Sequence, residues 1–373
     1  MAKPRTETLA PPQVAPRARV QAMKEYHPPL GSRDSLRLDF NENTLACSPK
    51  VREVLASISS GDLTRYPERE PVEAIVAAHL GPDAAEQVVL TNGVDEAIHV
   101  LFETFLEEGD ELLLPVPTYT MYEVYASATD ARVVAVQADD DLEFPFERLL
   151  AAITPRTKII AVANPNSPSG TVATRAQLVE LAAKATHAVL LVDEAYFHFH
   201  GETMIDLIGI VPNLIVARTF SKAYGLAGLR LGLLVGSVDL MRWVRRVLSP
   251  YSVNSLALAC LPPALDDKAY IDWYVGEVLA ARADFEAALD AACVRRWPSR
   301  ANFVLVDIGP QHAEFVRLMR AVGVLVRDRS TDPGCDGRVR ITIGTREQMT
   351  QAIVALNQTV AALGLGKAKG EAR

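Results

Sequence analysis

The sequence predicts an α/β protein: a three-layer α/β/α large domain around a mainly parallel sheet, with a smaller α/β domain after it. Three observations carry this. Between about 87 and 235, short β-rich runs alternate with helical stretches, the pattern of a parallel sheet covered on both faces. A second, shorter alternation of strand and helix occupies 302–362. At 373 residues with 49% hydrophobic content, the chain can fill two cores.

In chain order, residues 1–20 are rich in Pro, Ala and Arg and read as lacking fixed structure. A short helix is expected over 47–60, after Ser48-Pro49. Apolar runs at 88–90, 111–114, 133–136, 159–162, 189–192 and 214–216 read as buried strands. Helices are expected between most of them, at 94–106, 118–128 and 174–186. Residues 253–292 read as mostly helical, with 272–290 as one long helix. Then follow strand 302–307, helix 311–321, strands 324–327 and 338–343, and helix 346–362. Pro250, Pro262 and Pro263 interrupt the pattern. The expected domains are an N-terminal arm 1–47 serving the site and the small domain, a large domain 48–262 and a small domain 263–373, ending in a solvated tail from Gly364.

Composition narrows the function. A net charge of −8 argues against nucleic acid or an anionic membrane as the main partner. No run of eighteen apolar residues predicts a membrane span. Cys47, Cys260, Cys293 and Cys335 lack metal or disulfide spacing, so no metal is expected, and a reducing cytoplasm is.

The chemistry centres on Thr219-Phe220-Ser221-Lys222-Ala223-Tyr224-Gly225 and Arg230, lying between two apolar strands. A lysine drawn out of water becomes nucleophilic. Hydroxyls and an arginine suit an anion, most simply a phosphate. Lysine plus phosphate points to pyridoxal phosphate held on Lys222 as a Schiff base. A solvated surface lysine is the plain alternative, and the spaced glycines 225, 228 and 232 match a dinucleotide loop only weakly.

The segment resembles the lysine signature of fold-type I pyridoxal-phosphate aminotransferases, and most closely that of the histidinol-phosphate aminotransferase family. There an arginine eight positions after the lysine holds the cofactor phosphate, the spacing of Lys222 and Arg230. Further resemblances follow along the chain.

Thr91-Asn92-Gly93-Val94-Asp95 opens a helix after a strand, in isolation an ordinary cap or an anion site. The resemblance makes Gly93, Val94 and Asp95 phosphate-cradling residues, with Thr219, Ser221 and Arg230. Pro117-Thr118-Tyr119 resembles the family's P-T-Y, which implies that Tyr119 stacks on the cofactor ring rather than filling core. Asn164-Pro165-Asn166-Ser167-Pro168-Ser169-Gly170 resembles N-P-N-N-P-T-G but departs from it at Ser167 and Ser169. The family asparagine matching Ser167 donates to the cofactor's phenolic oxygen.

Asp193 ends a buried strand, where a carboxylate needs a partner. A protonated pyridine nitrogen is one and a helix cap is the alternative. The family's D-E-A-Y matches Asp193 to Tyr196 and implies that Tyr196 reaches the phenolic oxygen. Tyr66 matches a tyrosine that reaches the phosphate of the neighbouring subunit, which implies a homodimer.

Arg327 and Arg340, in R-D-R-S and R-I-T-I-G, match the family's substrate arginines. Arg340 would take a carboxylate; Arg327 and Tyr26 would take the phosphate of histidinol phosphate. Asn41-Glu42-Asn43 resembles a segment near the site entrance, and Asn43 is carried over as a substrate-binding residue.

The implied activity is amino transfer between histidinol phosphate, or a related amine, and 2-oxoglutarate. The other readings are an aromatic or general aminotransferase, a phosphothreonine-type decarboxylase and an idle cofactor-binding regulator.

Overall fold

The computed structural model describes residues 15–23, 25 and 34–365. Eleven strands form two sheets among them. In chain order they are β1 (Leu36–Leu38), β2 (Val88–Thr91), β3 (Glu111–Val116), β4 (Arg132–Gln137), β5 (Thr157–Ala163), β6 (Val189–Asp193), β7 (Leu214–Thr219), β8 (Gly232–Gly236), β9 (Phe303–Asp307), β10 (Val324–Asp328) and β11 (Arg338–Thr342). The large sheet runs β2-β8-β7-β6-β5-β3-β4. Its neighbours are parallel except at β8, which is antiparallel to both β2 and β7.

Side chains of alternate residues point to opposite sides of a strand, and here both sides are apolar. Leu90, Leu113, Ile160, Leu190, Val216 and Leu233 join one core cluster. Their immediate neighbours Val89, Leu112, Ile159, Leu191, Ile215 and Leu234 join the other. Helices cover both faces: Gly93–Phe105, Met121–Ala128 and Val238–Val247 pack into the second cluster, and Arg175–Lys184 into the first. Unbroken hydrophobic strands are what a sheet buried on both sides requires.

The small sheet runs β1-β10-β11-β9 and packs against helices His312–Ala321 and Lys268–Ala291, on which Arg346–Leu363 lies in turn. Its first strand comes from the N-terminal part of the chain and pairs in parallel with β10.

Several elements differ from expectation. The 47–60 segment is two helices, Pro49–Ser57 and Ser60–Thr64, because Ser59 starts a new capping box with Asp62. Residues 18–22 form a helical turn although 1–20 are expected without structure, and neighbouring Arg17 donates to the carbonyl of Ala128 and pairs with Asp130. Pro262 and Pro263 lie inside the helix Ser255–Asp266 instead of ending it. The break falls at Asp267, which precedes the long helix Lys268–Ala291. Burial of Ala257, Leu258, Leu261 and Leu265 holds that helix despite the prolines. Among the described residues, no helix is long and apolar enough to cross a membrane.

Candidate active site

The C-terminal ends of β2, β5, β6 and β7 open on one side of the large sheet, where ligands bind in such folds. Two adjoining cavities lie there. The first, about 230 Å³, is lined by Val94, Asp95, Tyr119, Ser167, Asp193, Tyr196, Thr219, Ser221, Lys222 and Arg230, among others. The second, about 240 Å³, is lined by Asp39, Phe40, Asn41, Tyr119, Ser167, Tyr196, Lys222, Arg327, Arg329 and Arg340, among others. Phe40, Tyr119, Ser167, Tyr196 and Lys222 border both. Residues from eight separate stretches therefore meet in one place.

Lys222 sits in the turn between β7 and β8, and its Nζ donates to the Phe40 carbonyl at 3.0 Å. The ammonium lies 5.8 Å from the centre of the Tyr196 ring. Asp193, at the end of β6, is buried; the Tyr122 hydroxyl donates to it at 2.7 Å and the Ala195 N–H at 3.0 Å. No cationic side chain pairs with it among the described residues. Burial pushes its carboxyl up to about 6, against the pull of those two donors.

Gly93 starts the helix Gly93–Phe105 with φ +82, and Asn92 gives that end no side-chain cap. A Cβ on Gly93 would stand 2.6 Å from Arg230 Nη2. Arg230 donates to Asp95 at 2.9 Å, and Tyr119 donates to the other oxygen of Asp95 at 2.6 Å. Burial and this contact push the Tyr119 phenol up. Ser221 N–H donates to Thr219 Oγ1 at 3.1 Å. An uncapped helix end, an arginine and two hydroxyls thus converge on one spot.

Arg340 is buried on β11. It donates to the Asp39 carbonyl at 2.7 Å and to Ser167 Oγ at 3.0 Å, while its Nε has no partner. No carboxylate pairs with it among the described residues. Burial, with Arg329 nearby, pushes the guanidinium down to about 10.

Three expected residues line neither cavity within this chain, Gly93 because it sits against Arg230. Tyr66 is 79% exposed and stacks on Tyr251, with ring centres 4.5 Å apart. Asn43 spends its side chain on the Ala223 carbonyl and the Leu45 N–H. Tyr26 lies outside the described residues. Three residues were not singled out from sequence. Asn41 lies in the quoted Asn41-Glu42-Asn43, and Arg329 in R-D-R-S. Tyr122 follows Tyr119 by three positions within the expected helix 118–128, a spacing that core aromatics share; the observed helix starts at Met121.

The chain matches the family described as aminotransferase class I and II over residues 33–356. The chain belongs to that family. A histidinol-phosphate aminotransferase from Methanococcoides burtonii is 33% identical over 327 residues, 86% of this chain and 89% of the relative. One from Moorella thermoacetica is 34% identical over 348 residues, covering 91% and 89%. The crystal structure of histidinol-phosphate aminotransferase from Sinorhizobium meliloti, in complex with pyridoxal-5′-phosphate, is similar with a TM-score of 0.83 at 23% identity, covering 93% of this chain and 98% of that one. A Thermus thermophilus aspartate aminotransferase double mutant gives 0.79 at 24% identity, covering 93% and 100%. Those two likenesses establish the fold.

The chain is therefore an aminotransferase, and the Sinorhizobium meliloti structure holds pyridoxal 5′-phosphate. The site fits that group. A lysine stands at the cavity wall, a buried carboxylate without a cation ends β6, and the uncapped helix end faces Arg230.

Proposed function

We propose that this aminotransferase moves the amino group of histidinol phosphate, or a closely related phosphate-bearing amine, with glutamate and 2-oxoglutarate as the second pair. The observation that carries this reading is Arg340: buried, held from two sides, and without a carboxylate partner among the described residues. A guanidinium so placed suits an incoming carboxylate. The amine itself carries a phosphate and no carboxylate; Arg327 lines the same cavity and supports an anionic group there, whereas Arg329 beside it is paired with Asp332.

When bound, pyridoxal phosphate supplies an electron sink that makes the substrate's Cα proton removable. Lys222 would hold the cofactor through Nζ. Once freed by the amine, that nitrogen would be the general base that takes the Cα proton and delivers it two atoms away, on the cofactor side, as a 1,3-shift. Asp193 would hold the ring nitrogen's proton. Tyr119 would lie against the ring, with Tyr196 and Ser167 on the side of its phenolic oxygen. Gly93, Val94, Asp95, Thr219, Ser221 and Arg230 would hold the phosphate, Asp95 through its backbone N–H because its carboxylate is taken. Tyr66, too exposed to serve its own chain, would complete the partner's phosphate site in a homodimer. Tyr26 and Arg327 would meet the substrate phosphate. Asn43 would brace the Lys222 turn rather than touch substrate. The unpaired cysteines support a cytoplasmic protein.

The two half-reactions test the substrate. Arg327→Ala should cost the histidinol phosphate half-reaction about 1.5–3 kcal/mol, the range of a charge-assisted contact, and the glutamate half-reaction much less. Single-turnover kinetics with each amine measure both. Equal losses would favour an aromatic or general aminotransferase, and release of CO₂ from phosphothreonine would favour the decarboxylase.

A further inference from the structure

Three consecutive residues after β1 each touch a different site residue. The Asp39 carbonyl accepts from Arg340, the Phe40 carbonyl accepts from Lys222, and Asn41 Nδ2 donates to the Tyr196 hydroxyl at 2.8 Å. Asn41 is buried and stands at φ +54, in the left-handed region that asparagine tolerates. The small sheet and the turn before it fix it there. Its N–H donates to Thr342 Oγ1 at 3.0 Å, that hydroxyl donates to Asn41 Oδ1 at 3.1 Å, and Asn302 Nδ2 donates to the Asn41 carbonyl at 3.2 Å.

These bonds orient the Asn41 amide. Thr342 Oγ1 accepts from the Asn41 N–H and gives its single proton to Oδ1. The amide's NH₂ end is thereby turned to Tyr196. A phenol has one proton to give. Because its oxygen accepts from Asn41, that proton is free to point elsewhere. Phe303 lies edge-on to the ring at 5.1 Å and offers no acceptor there, and the cavity lies beyond the hydroxyl.

We infer that Asn41 is a positioning residue for Tyr196: by donating to the phenol oxygen, its amide leaves the phenol proton aimed into the cofactor cavity. This rests on the reading that Tyr196 faces the cofactor's phenolic oxygen. A donor held on that oxygen favours its ionised form, so losing the donor means the neighbouring proton on the lysine-linked nitrogen is held more tightly. The charged groups that face the phenol are Lys222 and Arg340, and both stay in place in the variants below.

The test is a pH titration of the visible absorbance of the holoenzyme without substrate. Asn41→Gly keeps the left-handed backbone free of strain and deletes only the amide. Its midpoint should rise by about one pH unit, the scale of a single hydrogen bond. Tyr196→Phe should raise it at least as far, and the double variant no further than Tyr196→Phe alone. Asn41→Asp, nearly isosteric, has no N–H to give and would draw the phenol proton to itself; because it also adds a charge, the part of its rise that disappears in the Tyr196→Phe background is the part that counts. It serves as the second variant if the glycine form does not hold cofactor. An Asn41 variant with the wild-type midpoint, or one that shifts equally with and without the Tyr196 hydroxyl, overturns the inference. If Tyr196→Phe itself leaves the midpoint unmoved, the placement of Tyr196 fails, and the inference with it.

Discussion

Asp193 shows at the scale of one residue how a site is built against stability. Its carboxyl titrates near about 6 in the fold, against an ordinary value of 3.8. Above pH 6 the folded chain therefore carries a buried charge that the unfolded chain keeps in water. At 1.36 kcal/mol per pH unit the cost is about 3 kcal/mol. The cost fades as pH falls from 6 to 4 and is absent below. Asn keeps the shape and removes the charge. Cofactor-free Asp193→Asn should then be more stable than the parent by about 2–3 kcal/mol at pH 8 and nearly equal at pH 4. Urea unfolding at both pH values measures this, and an equal change at both would assign the effect to packing. The same variant should lose turnover, since the charge is what would hold the ring nitrogen's proton.

At this scale the sequence was informative where a residue type is rare in its setting. A lysine between buried strands and a carboxylate at a strand end both stand out. Asn41 did not, because its partners Thr342 and Asn302 lie about 300 and 260 positions away. Ser167 was legible as a departure, but its bond to Arg340 was not, since no local pattern ties the loop after β5 to β11.

Among the elements, the crossing of β8 over the helix that starts at Gly93 matters most. A Cβ on Gly232 would lie 2.5 Å from Val94 N and 2.6 Å from Gly93 C, both backbone atoms with little room to yield. Those atoms form the end of the helix that faces the phosphate-holding residues. Gly232→Ala should cost about 1–3 kcal/mol through overpacking and weaken cofactor binding. Gly228→Ala, whose Cβ would meet nothing within 4 Å, is the control. Thermal unfolding and cofactor titration of both variants check this; Gly232→Ala behaving like Gly228→Ala would remove the crossing from the account.

The strands of the large sheet were readable because burial on both faces makes them short apolar runs. Helices Glu70–Leu80, Phe146–Ala152 and Val238–Val247 were not picked out. The seven-residue Phe146–Ala152 holds only two turns of pattern. Strand β1 was invisible for another reason: three residues become a strand only by pairing with β10, far along the chain.

For the whole molecule, we propose the arm 1–47, a large domain from 48 and a small domain to 373, with the break at Asp267 in place of Pro262. The exposed Tyr66 gives the homodimer its test. Mixing Lys222→Ala subunits with weakened Tyr66→Phe subunits would form hybrids in which one site carries both defects and the other neither. Activity should exceed that of the Tyr66→Phe homodimer at the same concentration. No recovery after verified subunit exchange would mean that Tyr66 acts within its own chain or not at all.

The central claim joins Lys222 to amino transfer from a phosphate-bearing amine. Its most direct measurement is glutamate formed from histidinol phosphate and 2-oxoglutarate, by the parent enzyme and by Lys222→Ala. The account predicts glutamate in step with amine consumed for the parent and none above background for Lys222→Ala. No glutamate from the parent, or glutamate undiminished without Lys222, would contradict it.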